Sequence, residues 1–248
     1  MRRIDLNCDL GEGAGHDAEL MPLITSASIS CGIHAGDVDT MRQSIELARQ
    51  CNVTVGAHPS LNDRANFGRG ELPVTPGEAR LYVLTQTRLL QIIARQCGVK
   101  VVYVKPHGGL YNMAARDTAL AEAVASAVHE VDPALTLYGL AGSKLLEAGR
   151  ACGLVTASEV FADRTYQRDG TLTPRSHPGA LIHYEDLAVA QVLRMVREGA
   201  VRATDGTEVP LRVDTVCLHG DGPHPVAFAR RLRSELTVAG IEIKAFGS

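Results

Sequence analysis

The feature that most constrains this chain is an alternation kept up from one end to the other. Short apolar, β-branched runs are separated by stretches whose apolar residues recur every three to four positions. That is the pattern of βα units and of a parallel sheet. Seven runs read as strands: Ile4–Cys8, Ser28–Gly32, Val53–Ala57, Val101–Lys105, Leu135–Gly139, Val155–Glu159 and Thr215–His219. Seven units in 248 residues come to about 35 residues each, near the repeat of a closed β/α barrel. The expectation is an α/β fold with one barrel domain over residues 1–248, a length such folds routinely use as one domain.

The intervening stretches carry helix signals. Thr75-Pro76-Gly77-Glu78 is a capping box with proline at the first helical position, followed by Val83, Leu90, Ile93 and Cys97 on one face. Asp37 is expected to cap a helix that turns Val38, Met41, Ile45 and Ala48 inward, and Asp117 one with Leu120, Val124 and Val128. Val189, Val192, Leu193 and Val196 mark another, and Leu232 with Leu236 the last. Thr204-Asp205-Gly206-Thr207 predicts a hairpin turn that interrupts the barrel. Gly139 to Lys144 reads as a glycine turn feeding a helix, with Ser143 as a cap or the turn as a weak anion cradle. No Walker A sequence is present.

Charge and hydropathy narrow the partners. A net charge of −3 gives no basic field for a nucleic-acid backbone, so no nucleic acid is expected. No 18-residue apolar run occurs and no signal-peptide core follows Met1, so neither a membrane partner nor export is expected, and the cytoplasm is the expected location. The six cysteines have no C-x-x-C spacing and read as reduced core thiols.

The predicted strands end in polar clusters. Strand one sets Asp5, Asn7 and Asp9 on one face, opposite Ile4, Leu6, Cys8 and Leu10. The others run into His34-Ala35-Gly36-Asp37, His58-Pro59-Ser60, Lys105-Pro106-His107, Glu159 with Asp163-Arg164 beyond it, and His219-Gly220-Asp221. A barrel gathers these ends at one mouth, where active sites lie. Two readings stay open for four histidines that each follow a different strand. They are divalent-metal ligands, with Asp9, His34 and His58 as the candidate set, or parts of a metal-free acid/base and electrostatic site. Lys105 is either a structural ion-pair partner or an electrophile that steadies charge on a carbonyl or phosphoryl oxygen. The loop Asp63 to Gly70, with Arg64 and Arg69, suits a lid that grips an anion. The aperiodic stretch from Phe161 to His183 is long enough to be functional.

Taken together, Asp5-Leu6-Asn7-Cys8-Asp9-Leu10-Gly11-Glu12, Ser30-Cys31-Gly32-Ile33-His34-Ala35-Gly36-Asp37, Gly56-Ala57-His58-Pro59-Ser60, Val104-Lys105-Pro106-His107-Gly108-Gly109, Glu159-Val160-Phe161-Ala162-Asp163-Arg164 and Leu218-His219-Gly220-Asp221 resemble the signature blocks of the LamB/YcsF family. The resemblance implies a seven-stranded β/α barrel of the glycoside hydrolase/deacetylase type. It implies ATP-dependent opening of 5-oxo-L-proline (pyroglutamate) to L-glutamate together with 5-oxoprolinase subunits B and C, with ATP and Mg2+ as cofactors that a partner chain can hold. On that basis the expected catalytic residues are Asp9, His58, Lys105 and His107, with Lys105 and His107 steadying oxyanion or phosphoryl charge and Asp9 or His58 as base. The expected substrate-binding residues are Asn7, Glu12, His34, Arg64, Arg69, Glu159, Arg164, His219 and Asp221, with Arg64 or Arg164 on the carboxylate. Substitution of Asp9, His58 or Lys105 is expected to abolish activity and leave the thermal melt unchanged. A tightly bound transition metal is not expected. Two rival readings remain: a stand-alone metal-dependent deacetylase or amidohydrolase, and a non-catalytic subunit that binds substrate or serves as a scaffold.

Overall fold

In the computed structural model, which describes residues 2–220 and 224–247, the seven expected strands close into a barrel. They are β1 (Arg3–Leu10), β2 (Ser26–Ser30), β3 (Thr54–His58), β4 (Val101–Val104), β5 (Thr136–Leu140), β6 (Thr156–Phe161) and, after a short antiparallel pair β7 (Ala200–Arg202) and β8 (Glu208–Pro210), β9 (Thr215–His219). All neighbours in the ring are parallel and β9 pairs with β1 to close it. A last strand, β10 (Glu242–Ile243), adds beside the start of β1 and had no signal of its own in the sequence.

The helices are α1 (Asp17–Leu20), α2 (Val38–Cys51), α3 (Pro76–Gln96), α4 (Gly108–Arg116), α5 (Thr118–Val131), α6 (Lys144–Ala151), α7 (Glu185–Glu198) and α8 (Pro225–Val238). The expected caps form: Thr75 and Glu78 make both halves of the capping box, while Asp37, Asp117 and Ser143 accept from Thr40, Leu120 and Leu146. Ser143 therefore caps α6. Met41, Ile45 and Ala48 point inward as expected, but Val38 is 46% exposed, because as the first residue of α2 it lies on the turn outside the packed stripe. All six cysteines are free, with Cys8, Cys31 and Cys217 buried, whereas Cys51, at the last turn of α2, is exposed and is not a core thiol.

The barrel has two unlike faces. Leu6, Cys8 and Leu10 join the apolar layer under the helices. Asp5, Asn7 and Asp9 instead meet polar partners inside the barrel, Thr215 on the adjacent strand and Lys105 from across it, an interior that must be hydrogen-bonded to be tolerated. Asp5 shows how: Thr25, Ser26 and Thr215 donate to its carboxylate at 2.6, 2.7 and 2.6 Å. Burial still raises its pKa above the ordinary carboxylate value. Register stacks the layers, with Thr215 between Asp5 and Glu159, and Cys217 between Asn7 and Phe161.

Candidate active site at the barrel mouth

Lys105 follows the last residue of β4, and its backbone N–H extends the β3–β4 ladder by donating to the Ala57 carbonyl at 2.9 Å. This aims the side chain into the barrel, where it is 2% exposed. Its ammonium lies 2.7 Å from Asp9 Oδ1, 2.8 Å from Glu159 Oε1, 2.9 Å from Asn7 Oδ1 and 3.1 Å from Cys217 Sγ. Asn7 Nδ2 donates in turn to Glu159 Oε1 and Thr215 Oγ1. Burial opposes charge on Lys105, but Asp9, Cys217 and Glu159 together outweigh it and hold the ammonium well above its usual range. For Asp9, burial is likewise overcome, here by His58 and Lys105, so its carboxyl stays well below the usual range. Four acceptors already surround three N–H bonds. Lys105 therefore has no proton to spare for a substrate oxygen unless one acceptor gives way, and the geometry suits it to fixing Asp9 and Glu159.

A second set sits one strand away. His58 Nδ1 donates to the Lys105 carbonyl at 2.7 Å, and His107 Nε2 donates to the Phe67 carbonyl at 2.8 Å. The inward nitrogens, His58 Nε2 and His107 Nδ1, are 2.8 Å apart. Two lone pairs would face each other there unless a proton or a cation lies with them. Asp9 Oδ2, 3.2 Å from His58 Nε2, and Glu12 Oε1, 3.6 Å from His107 Nδ1, flank the point. Ligand atoms of Asp9, Glu12, His58 and His107 all lie within 4.8 Å of one another, a mixed carboxylate and imidazole set of the kind that holds a divalent transition metal. His34 is not in that set. Its Nε2 donates to Glu12 at 2.9 Å, its Nδ1 meets Ser60 Oγ at 2.9 Å, and its ring stacks on His107 at 3.9 Å. Burial pushes His34 down to about 4, so it is neutral at physiological pH and serves to hold Glu12.

The third set closes the opposite wall. His219, at the end of β9, donates from Nδ1 to Asp163, 2.9 Å from both carboxylate oxygens, and stacks on Phe161. Burial opposes the charged ring but Asp163 prevails, so His219 is raised above its usual value. Arg164 is buried at 4% exposure, its Nη2 donating to the Thr173 carbonyl at 2.6 Å. The stretch after β6 folds back over the mouth through bridges Arg164 to Leu181 and Tyr166 to Leu172.

These walls surround a cavity of about 560 Å3 lined by Asp9, Glu12, His58, Lys105, His107 and His219 and by Arg69, Arg164 and Arg175. Asn7, His34 and Glu159 stand behind the lining, and Asp221 lies outside the described residues. Arg64 does not reach the cavity. Its Nη1 and Nη2 donate to the carbonyls of Gly32 and Gly36 at 3.1 and 3.0 Å, so it stitches loops together and is not positioned for a substrate carboxylate. The expected lid is a pinned rim: Gly109 N–H donates to the Gly68 carbonyl, and a Cβ on Gly109 would collide with the Gly70 carbonyl oxygen. Sequence reasoning passed over Thr215 and Cys217 as site residues, although they share period two with His219. It also missed Tyr111, one turn into α4, whose hydroxyl lies beside Glu159, with Oε2 of that glutamate lacking a well-aligned partner among the described residues.

A closed seven-stranded parallel barrel with carboxylates, imidazoles and a buried ammonium at its mouth defines a β/α-barrel protein with its site at the strand C-terminal ends. A T48 deacetylase is similar in fold alone, with a TM-score of 0.54 at 13% identity over 98% of this chain and 87% of that one. The chain belongs to the LamB/YcsF family, which it matches over residues 4–248. It is 55% identical to the A subunit of 5-oxoprolinase from Geobacillus kaustophilus, covering 99% of this chain and 97% of that protein. The crystal structure of a lactam utilization protein from Thermus thermophilus is similar with a TM-score of 0.91 at 42% identity, over 98% of this chain and all of that one.

Proposed function

We propose that this protein is the A subunit of an ATP-dependent 5-oxoprolinase, a cyclic-amide hydrolase that opens 5-oxo-L-proline to L-glutamate. The observation that carries the reading is the 55% identity, over nearly the full length of both chains, to a protein bearing that name. The cavity chemistry agrees with it. An unstrained lactam needs an activated carbonyl, a group to deprotonate water and a cation for the substrate carboxylate. Asp9, ionised and fixed by Lys105 and His58, lines the cavity where it can accept a proton from the attacking water. His107 meets His58 at the cavity wall, and His34 and Glu159 hold Glu12 and Lys105 in register from behind. Arg69 also lines the cavity and supplies the cation this reading assigns to the carboxylate.

In this reading ATP with Mg2+ activates the carbonyl, and subunits B and C complete the enzyme. This reading assigns the nucleotide site to a partner chain. The six free cysteines suit the reducing cytoplasm, and no helix of the described residues is long and apolar enough to cross a membrane. The test is glutamate release from 5-oxoproline by the purified chain and by the complex that co-purifies from its native cells, each with and without ATP. Release by the complex only, and only with ATP, supports the proposal. Release by neither refutes it.

The four donors of Asp9, Glu12, His58 and His107 favour a second reading, a stand-alone metal-dependent amide hydrolase. They are the residues that would hold a divalent ion, which supplies Lewis-acid polarisation when bound. ATP-independent, chelator-sensitive release by the chain alone would decide for it.

A further inference from the structure

Helix α4 turns one face to the cavity: Gly108, Tyr111, Asn112 and Arg116 all line it, at the three- and four-residue spacing of a helical stripe. Other polar groups of the lining are committed to protein partners. Asp9 and Lys105 hold each other at 2.7 Å, His219 holds Asp163 at 2.9 Å, and Arg116 donates to Glu71 at 2.9 Å. Asn112 differs. It is half-buried, and although its backbone carbonyl accepts from Arg116 Nη1 at 3.4 Å, its carboxamide makes no hydrogen bond to any described residue. It also sits in the interior of α4, where asparagine has poor helix propensity, and it neither caps the helix nor bonds back to the preceding turn. A residue that breaks a local rule in a cavity wall, with no contact to compensate, points to a ligand. Its neighbour Tyr111 anchors that face, with its ring edge-on to Phe161 at 5.7 Å between centroids.

A carboxamide carries an acceptor, Oδ1, and a donor, Nδ2, on one carbon. A lactam carries the complement, because ring closure forces its amide cis and sets N–H and C=O on the same edge. We propose that Asn112 is the residue that selects a lactam, with Nδ2 donating to the ring carbonyl oxygen and Oδ1 accepting from the ring N–H. The proposal rests on the 5-oxoprolinase reading and deepens it by naming the group that tells a cyclic amide from a cyclic ester. An ester ring of the same shape has an oxygen in place of the N–H, so two acceptors would face each other at Oδ1.

The experiment titrates the full chain by calorimetry with 5-oxoproline and with its cyclic-ester counterpart, 5-oxotetrahydrofuran-2-carboxylate, for wild type and Asn112→Ala. Alanine favours a helix and the position is only half-buried, so the fold is kept; thermal melts check this. Wild type should bind the lactam about tenfold or more tighter than the ester. In Asn112→Ala the two affinities should come within about threefold of each other through weaker lactam binding, a change of ratio that a merely structural role would not produce. Equal affinities in wild type, a preference unchanged in Asn112→Ala, or no lactam binding by the chain while the co-purified complex still releases glutamate would overturn the assignment and leave the 5-oxoprolinase reading intact. If the complex releases no glutamate from 5-oxoproline, that reading falls and takes the assignment with it.

Discussion

Replacing Lys105 with methionine keeps the apolar stem and removes the charge that Asp9 Oδ1 and Glu159 Oε1 share at 2.7 and 2.8 Å. Two buried carboxylates then lose their counter-ion, and deleting one partner of a buried pair costs about 3–5 kcal/mol. In a chain of 248 residues each kcal/mol moves the melt by about 2–4 °C, so the expected fall is about 6–20 °C near neutral pH. This differs from the sequence-based expectation of an unchanged melt, because Lys105 sits inside the barrel and not on its rim. The pH dependence has a definite sign. In wild type the Asp9 pKa is depressed, so its contribution is present above the unfolded value of about 4 and is lost only as pH falls through the lower folded value. Without Lys105 the orphaned Asp9 carboxylate is driven towards protonation, and the penalty shrinks as pH falls from about 7 to 5. Thermal melts of both proteins across that range read the effect. A melt within about 2 °C of wild type at neutral pH, or a gap that widens on acidification, would refute the reasoning.

Other substitutions test separate parts of the structure. Asp9→Asn should keep the fold yet lower kcat of the assembled enzyme by about 100-fold or more, and wild-type turnover would remove Asp9 from the chemistry. Asp163→Asn removes the partner that raises His219, a contribution present below the unfolded histidine value of about 6.5 and lost as pH rises through the higher folded one. The melt difference from wild type should therefore be largest at acid pH and close on the alkaline side; a constant difference would argue against the pair. Gly109→Ala should destabilise by about 1–3 kcal/mol or more, because its Cβ would meet the backbone of Gly70, while Gly77→Ala, with open space around it, should change the melt little. Equal melts for the two would show that the rim loop moves freely off α4.

Much of the fold was legible because its signals are local. The strand runs, the Thr75 box, the Asp37 and Asp117 caps and the hairpin at Thr204–Thr207 each depend on neighbours a few residues apart, and each formed. What escaped notice was α4, which opens on Gly108 and Gly109, residues of poor helix propensity whose presence is explained by the loop backbone pressed against them. The histidines, Asp9 and Lys105 were legible as strand-end residues, and period two placed Asn7 and Asp9 on one face. Their partnerships were not, since Lys105 to Glu159 and His219 to Asp163 join residues more than fifty positions apart.

The sequence by itself determined the seven βα units, their gathering into one barrel and the residue types at its mouth, because periodicity and capping act within a few turns of chain. Only the tertiary structure decided what those residues do for one another. Barrel closure brings strand ends together across the ring, and at those short distances in a dry interior each group's charge, hydrogen bonds and access to the cavity depend on its neighbours. That is why Arg64 became a loop stitch and His34 a support for Glu12, while Arg175, on an aperiodic stretch, came to line the cavity.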